Sequence, residues 1–188
     1  MVKIYLASQS PRRKEILKEM GIPFRVVKSS YQEKMSRVAP QKLVIEHAVG
    51  KAKKAKVTAK QGLVLGSDTL VYCRGKILGK PKNLAGAHEM LRRISGKAHA
   101  VYTGVALRDL RTGRILKGYV RTQVFVRKLS QDQIENYCRR VPNLDKAGAY
   151  AIQMKPKIVR KIAGSYSNVV GLPKELLRKL LREICTKG

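Results

Sequence analysis

Tryptophan is absent from the 188 residues, phenylalanine occurs twice, and aromatic residues make up only 5%. Proteins that hold single-stranded nucleic acid by stacking need aromatic platforms, so that mode has little support. Acids are also scarce: 12 Asp and Glu stand against 41 Lys and Arg, a formal net charge of +29. Such a chain attracts polyanions at low salt, both nucleic acids and small phosphorylated metabolites. Its cations run along the whole sequence rather than forming one tail, and a solvated surface accounts for part of the excess. The only cysteines, Cys73, Cys138 and Cys185, have no paired spacing. That excludes a disulfide framework and fits a reducing cytosol. No apolar run is long enough to span a membrane. The opening MVKIYLAS does not read as a signal peptide, so a cytoplasmic protein is expected. There is no Walker loop, GxGxxG, zinc spacing or GxSxG. GKILGKP is not a P-loop, because the Gly-Lys-Ser/Thr ending is missing.

A hydrophobic content of 44% suffices for one domain over residues 1–188, with its core split into two lobes. A strand is expected at 2–7. Ser10 then stands at an N-cap and Pro11 at a first helical position, with Gly21 ending the helix. Phe24–Val27 reads as a strand, 28–40 as polar and irregular, and Pro40 as the start of a helix. The apolar side of that helix carries Val44, Ala48, Ala52 and Ala55, with Lys51 at its edge one turn after His47. Leu63–Cys73 reads as a buried strand interrupted at Gly66-Ser67-Asp68-Thr69. A helix over 85–94, a hairpin near 100–107 and 114–126, a helix from Ser130 to about Tyr137, a strand at 158–162 and a helix from Pro173 complete the pattern. Helices alternating with strands early and a hairpin late predict a mixed, mostly parallel sheet flanked by helices. The crevice at the strand ends is the expected site.

Asp68 is the most informative acid. It lies in the apolar run LGSDTLV, where a carboxylate is costly to bury unless something pairs with it or uses it. A buried structural acid is the plain alternative. Glu33, in a polar loop, is the second acid; together they suit a divalent cation and an attacking water. Ser8, Arg12 and Arg13 lie at a strand-to-helix junction, where free N–H groups and guanidinium forks favour phosphate. Lys51 and Lys80 supply positive charge for a polyphosphate or its leaving group. Gln153 offers a donor and an acceptor to a base edge. The three histidines show no metal-ligand spacing, and His99 reads as a structural hydrogen-bonding residue.

These blocks occur in a recognisable order. LASQSPRR, the SDT strand, GKILGKP, SGKAHAVYTGV, DKAGAYAIQ and GSYSNVVGLP extend over about residues 5–181. The chain therefore resembles the Maf family of nucleoside triphosphate pyrophosphatases. The resemblance implies an elongated α/β fold like that of inosine triphosphate pyrophosphatases, with a deep cleft between two lobes. It implies hydrolysis between the α and β phosphates, releasing a nucleoside monophosphate and pyrophosphate, with Mg2+ or Mn2+ required. Asp68 would be the general base or metal-linked acid and Glu33 a metal ligand. Ser8, Arg12, Arg13, Lys51 and Lys80 would hold phosphates, and Gln153 would sit near the base. The forms of the last two motifs look like the dTTP and UTP branch, and a homodimer is implied. Three departures stand out: Gly66-Ser67 for the usual alanines, Val141-Pro142-Asn143 for Gly-Glu-Pro, and Met154 for the glycine after Gln153. CTP or a modified nucleotide as substrate is one alternative. A nucleic-acid-binding or division-regulating protein without turnover is another.

Overall fold

The computed structural model describes residues 3–34, 36, 38–141 and 146–186. Val2 of the expected first strand, Met35 and Arg37 of the polar segment, and Pro142, Asn143 and Asp145 of the late motifs lie outside them. The chain opens with β1 (Ile4–Leu6), α1 (Pro11–Glu19) and β2 (Phe24–Val26). Pro11 takes the first position of α1, as its fixed φ favours. Gly21, just past the helix, turns the chain at φ +66°. Next come α2 (Pro40–Lys53), β3 (Leu63–Cys73), β4 (Lys76–Leu78) and α3 (Leu84–Ile94). The hairpin of β5 (Ala98–Asp109) and β6 (Ile115–Val126) leads to α4 (Gln131–Arg140). A short 3-10 turn (Ala147–Ala149), β7 (Val159–Ala163), α5 (Tyr166–Val170) and α6 (Lys174–Thr186) follow.

One sheet runs in the order β2-β1-β3-β5-β6-β7, with β4 pairing on β3. It is mixed and flanked by helices, as expected, but parallel pairing does not predominate. Among the described residues only β1 pairs in parallel, with β2 and with β3; the other strand pairings are antiparallel. The parallel strands β1 and β2 have three residues each, whereas β3, β5 and β6 have 11, 12 and 12. The long strands set the character of the sheet, and the β4 and α3 connection returns β5 against β3.

β3 is also unbroken. Gly66, Ser67, Asp68 and Thr69 pair in register with Ala106, Val105, Gly104 and Thr103. Gly66 serves a helix rather than a turn. A methyl there would lie 2.1 Å from the Ala48 carbonyl oxygen, and one at Gly104 would lie 2.2 Å from that of Val44. Both glycines let the α2 backbone rest directly on the sheet. Val64 and Leu70 pack with α2, on the same face as Gly66 and Asp68. The alternate residues face the other way. Leu63 and Leu65 meet α1 and α6 in one cluster, and Val71 and Cys73 meet α3 and α4 in another.

Several boundaries moved. Ala55 falls beyond α2 and forms an isolated bridge with Ser29. α4 runs past Tyr137 to Arg140, its start closed by a Ser130–Gln133 capping box. β4 and α5 were not expected, being too short to show a period. Cys73 and Cys138 are buried in the α3–α4 core. Among the described residues no helix is long and apolar enough to cross a membrane.

His99 is structural, as expected. It is buried in β5, with Nε2 2.8 Å from the Tyr150 hydroxyl. Burial lowers its pKa to about 4 from 6.5. The unfolded chain therefore binds the extra proton first as pH falls, and stability is lost from pH 6.5 down towards 4. Between pH 7 and 5 this amounts to about 2 kcal/mol. His99→Gln should lose that slope relative to the parent in urea melts; parallel pH profiles would exclude a neutral buried imidazole. A second expectation concerns the helix contact. Gly104→Ala should destabilise by about 1–3 kcal/mol, whereas Gly79→Ala, with open space around the new methyl, should change little. Equal urea midpoints for these two variants would contradict the close approach of α2.

Candidate active site

Between its pairings with β1 and β4, β3 has no strand neighbour on one edge among the described residues. β1 pairs with Leu63 to Leu65 and β4 with Val71 to Cys73, while Gly66 to Leu70 pair only with β5. A cleft of about 650 Å³ opens at this gap, at the carboxyl end of β1. All eight residues expected from the sequence line it: Ser8, Arg12, Arg13, Glu33, Lys51, Asp68, Lys80 and Gln153.

α2 brings two side chains over Asp68. His47 and Lys51 are four residues apart and so share a helix face. His47 Nδ1 lies 3.0 Å from Asp68 Oδ2, and Lys51 Nζ lies 2.6 Å from Asp68 Oδ1. Lys51 Nζ also donates to the Ser67 carbonyl at 3.3 Å and stands 2.5 Å from Glu33 Oε1. One ammonium thus bridges both acids.

The loop carrying Glu33 is fastened along the same helix. Ser29 Oγ donates to the Lys51 carbonyl at 3.0 Å, and the Ser30 N–H donates to the Lys54 carbonyl at 3.1 Å. His47 Nε2 lies 3.1 Å from the Lys34 carbonyl oxygen. The Tyr31 ring lies against Gly50, where any methyl would overlap it. His47 therefore joins Asp68 to the backbone beside Glu33, with each ring nitrogen facing an acceptor oxygen. Both contacts are satisfied together when both nitrogens carry hydrogen. The hydrogen bond to Asp68 raises the His47 pKa against the opposing effect of burial. For Asp68, burial alone would raise the pKa. The His47 hydrogen bond, the charge and hydrogen bond of Lys51, and the charge of Arg13 outweigh it and hold the carboxyl well below the usual range.

On the opposite face of β3, Arg13 is tied by three bonds. Nη1 donates to Ser8 Oγ at 2.9 Å, Nη2 to Thr69 Oγ1 at 3.2 Å, and Nε to the Gly171 carbonyl at 2.9 Å. Ser67 Oγ donates to the same carbonyl at 3.1 Å. Burial lowers the Arg13 pKa, with Asp68 and Glu33 opposing. Ser10 makes no side-chain cap on α1; its own N–H reaches back to Ser8 Oγ at 3.3 Å. Ser10 therefore leaves the positive end of the helix without a side-chain cap of its own where the cleft begins.

Lys80 and Gln153 line the cleft with exposed side chains, and Arg12 is half-buried at the start of α1. The structure brings Glu33, Lys51 and Asp68 into contact and Ser8 with Arg13. Among the described residues, the side chains of Lys80 and Gln153 touch none of these through a hydrogen bond or ion pair. Sequence reasoning missed His47. Its signal was a polar residue beside Val44 and Ala48 on an otherwise apolar helix side, one turn before Lys51. Tyr150 and Lys146, which also line the cleft, were missed as well.

Glu33, His47 and Asp68 each offer a ligand atom within 4.8 Å of the others. Because both His47 nitrogens are engaged, the two carboxylates are the ligands best placed for a cation. Hard oxygen donors of this kind suit magnesium or manganese. Their convergence on the Lys51 ammonium shows that one positive charge already fits between them.

Comparisons with known proteins identify the family. A family model described as Maf-like protein matches residues 3–184. A protein named dTTP/UTP pyrophosphatase from Methanococcoides burtonii is 42% identical over 187 residues, covering 98% of this chain and 96% of that protein. Proteins of the same name from Caldanaerobacter subterraneus and Moorella thermoacetica are 43% and 44% identical, each over 96% of this chain and over 88% and 94% of their own lengths. Among solved structures, the Staphylococcus aureus Ham1 protein aligns with a TM-score of 0.45 and 15% identity, over 96% of this chain and 98% of that one. With a family model spanning nearly every residue and the motif side chains gathered around one cleft, this chain belongs to the Maf-like proteins.

Proposed function

We propose that this protein hydrolyses dTTP and UTP to the nucleoside monophosphate and pyrophosphate. The observation that carries the reading is the Glu33–Lys51–Asp68 cluster, set in one cleft with the arginine-bearing start of α1. The names of the relatives support the substrate. A cleft of about 650 Å³ has room for a nucleotide. The family resemblance further supports a homodimer acting in the cytoplasm.

The triphosphate enters with its charged tail towards Ser8, Arg12, Lys51 and Lys80 and its base towards Gln153. Arg12 and the open end of α1 take phosphate oxygens. Lys80 offsets charge on the departing pyrophosphate. Glu33 and Asp68 would hold a magnesium or manganese ion, which when bound offsets phosphate charge and makes a water more acidic. Lys51 then exchanges its carboxylate partners for phosphate, which frees Asp68 Oδ1 from the ammonium. Asp68 orients the water for in-line attack at the α phosphorus and takes up its proton. Arg13, already tied to Ser8, Thr69 and Gly171, holds the phosphate loop against β3. His47 positions the two acids: its Nδ1 side steadies Asp68 and its Nε2 side steadies the Glu33 loop.

A panel of triphosphates with product separation tests the reaction. dTTP and UTP should be consumed faster than CTP, ATP and GTP, giving monophosphate and pyrophosphate. Asp68→Asn should lower turnover about 100- to 10,000-fold with unchanged circular dichroism. Diphosphate products would disprove the bond assignment, purine preference the substrate, and undiminished turnover the role of Asp68.

His47 variants separate its two sides. His47→Asn places an amide where Nδ1 stands, keeping the bond to Asp68 and losing the one to Lys34; His47→Gln does the reverse. His47→Asn is expected to raise KM with kcat nearly unchanged. His47→Gln is expected to lower kcat about tenfold with KM nearly unchanged. Matching losses in both parameters for both variants would reduce His47 to a packing residue.

A further inference from the structure

A second depression, of about 700 Å³, lies outside the cleft and shares no lining residue with it. Five of its seven lining residues are cations: Arg127, Arg140, Lys155, Lys157 and Arg160. The chain as a whole has 41 Lys and Arg in 188 residues, so the local density is about three times the average. Three elements build it. Arg127 follows β6, Arg140 ends α4, and Lys155, Lys157 and Arg160 lie on or before β7, the outer strand of the sheet. All five residues are exposed. Among the described residues, none of the five side chains forms an ion pair or a hydrogen bond.

Five like charges around one depression, without an acid in the lining, repel one another until an anion enters. The other two lining residues, Pro156 and Val159, are partly buried and leave no large apolar side chain to insert into a lipid surface. No aromatic residue lines it either, so splayed single-stranded bases find no stacking platform. What remains is a set of point charges and guanidinium forks for phosphates whose bases are stacked away from the protein. We infer that this surface binds the phosphodiester backbone of double-stranded nucleic acid without reading its sequence. The inference goes beyond triphosphate hydrolysis and does not depend on it.

Fluorescence anisotropy with a short labelled duplex tests the assignment over a range of salt concentrations. Binding should weaken with salt, with a logarithmic slope of about −4 to −5 for five phosphate contacts. Replacing all five cations with alanine should remove about four from that slope, while Lys155→Ala with Lys157→Ala should remove about two. A matched control replaces Arg25, Lys53, Lys54, Lys56 and Lys60, which are also exposed. It removes the same charge elsewhere and should alter the slope by less than about one. Triphosphate turnover should survive in the double variant and serves as its folding readout. Equal slope losses in the five-cation variant and the control would overturn the site in favour of diffuse charge. Tighter binding to the matching single strand, or to vesicles of anionic lipid, would overturn the choice of duplex.

Discussion

The contact between the α2 backbone and the glycines of β3 and β5 sets the rest of the site in place. At Gly66 and Gly104 a methyl group would collide with helix carbonyl oxygens, so the helix rests nearer the sheet than side chains would permit. Gly104 is the residue paired with Asp68. The two close approaches therefore lie beside the acid, one two residues before it on β3 and one opposite it on β5, and side chains one helical turn apart reach it from above. Lys51 needs this proximity to span from Asp68 to Glu33, and His47 needs it to bridge Asp68 and the Lys34 carbonyl. A helix held further away would leave Asp68 buried without partners, the costly state that the sequence reading identified.

Burial and pairing oppose each other at Asp68, and pairing prevails. A carboxylate taken from water loses several kcal/mol of solvation. His47 and Lys51 contact it directly, and the charge of Arg13 adds to their effect. The arrangement is stable while Lys51 stays, but only Lys51 also reaches an exposed acid, Glu33, at the edge of the cleft. A polyphosphate arriving there offers that ammonium an equivalent set of oxygens. The ammonium need not return to water when it leaves Asp68, which is the condition under which a buried ion pair can be exchanged at modest cost.

Much of this was legible in the residues, and the limits have physical causes. Asp68 stood out because a charge in an apolar run needs an explanation, and Pro11 and Gly21 bracketed α1 through backbone preferences. The family resemblance implied one site for Glu33, Lys51, Lys80 and Gln153, and all four line one cleft although they lie far apart in sequence. Parallel character was overestimated because alternating helices and strands predict crossovers, whereas strand length decides how much of a sheet each pairing fills. The interruption at Gly66 was misread because glycine's missing Cβ has two uses, a turn or a close contact. Only the packed helix distinguishes them. His47 was legible as an oddity on an apolar helix face, but its partners come from β3 and from a loop, which no local pattern connects.

β3 divides the work between its two faces through simple alternation. Gly66 and Asp68 face α2, where the contacts at Asp68 carry charge. Ser67 and Thr69 face α5, where the contacts are mostly between neutral groups: Ser67 with the Gly171 carbonyl, Thr69 with Thr103, and Thr103 with the Asn168 carbonyl. Arg13 crosses into this second network and gives it three of its five N–H donors. One N–H remains on each terminal nitrogen for anything in the cleft. Arg13 is therefore a fixed donor, oriented before a substrate arrives, whereas the exposed Lys80 must be ordered on binding at a cost in side-chain entropy. The same strand that carries the acid thus anchors the arginine, and a shift in β3 would displace both halves of the site together. This coupling explains why a strand with so few polar residues spends them in one consecutive Ser-Asp-Thr run.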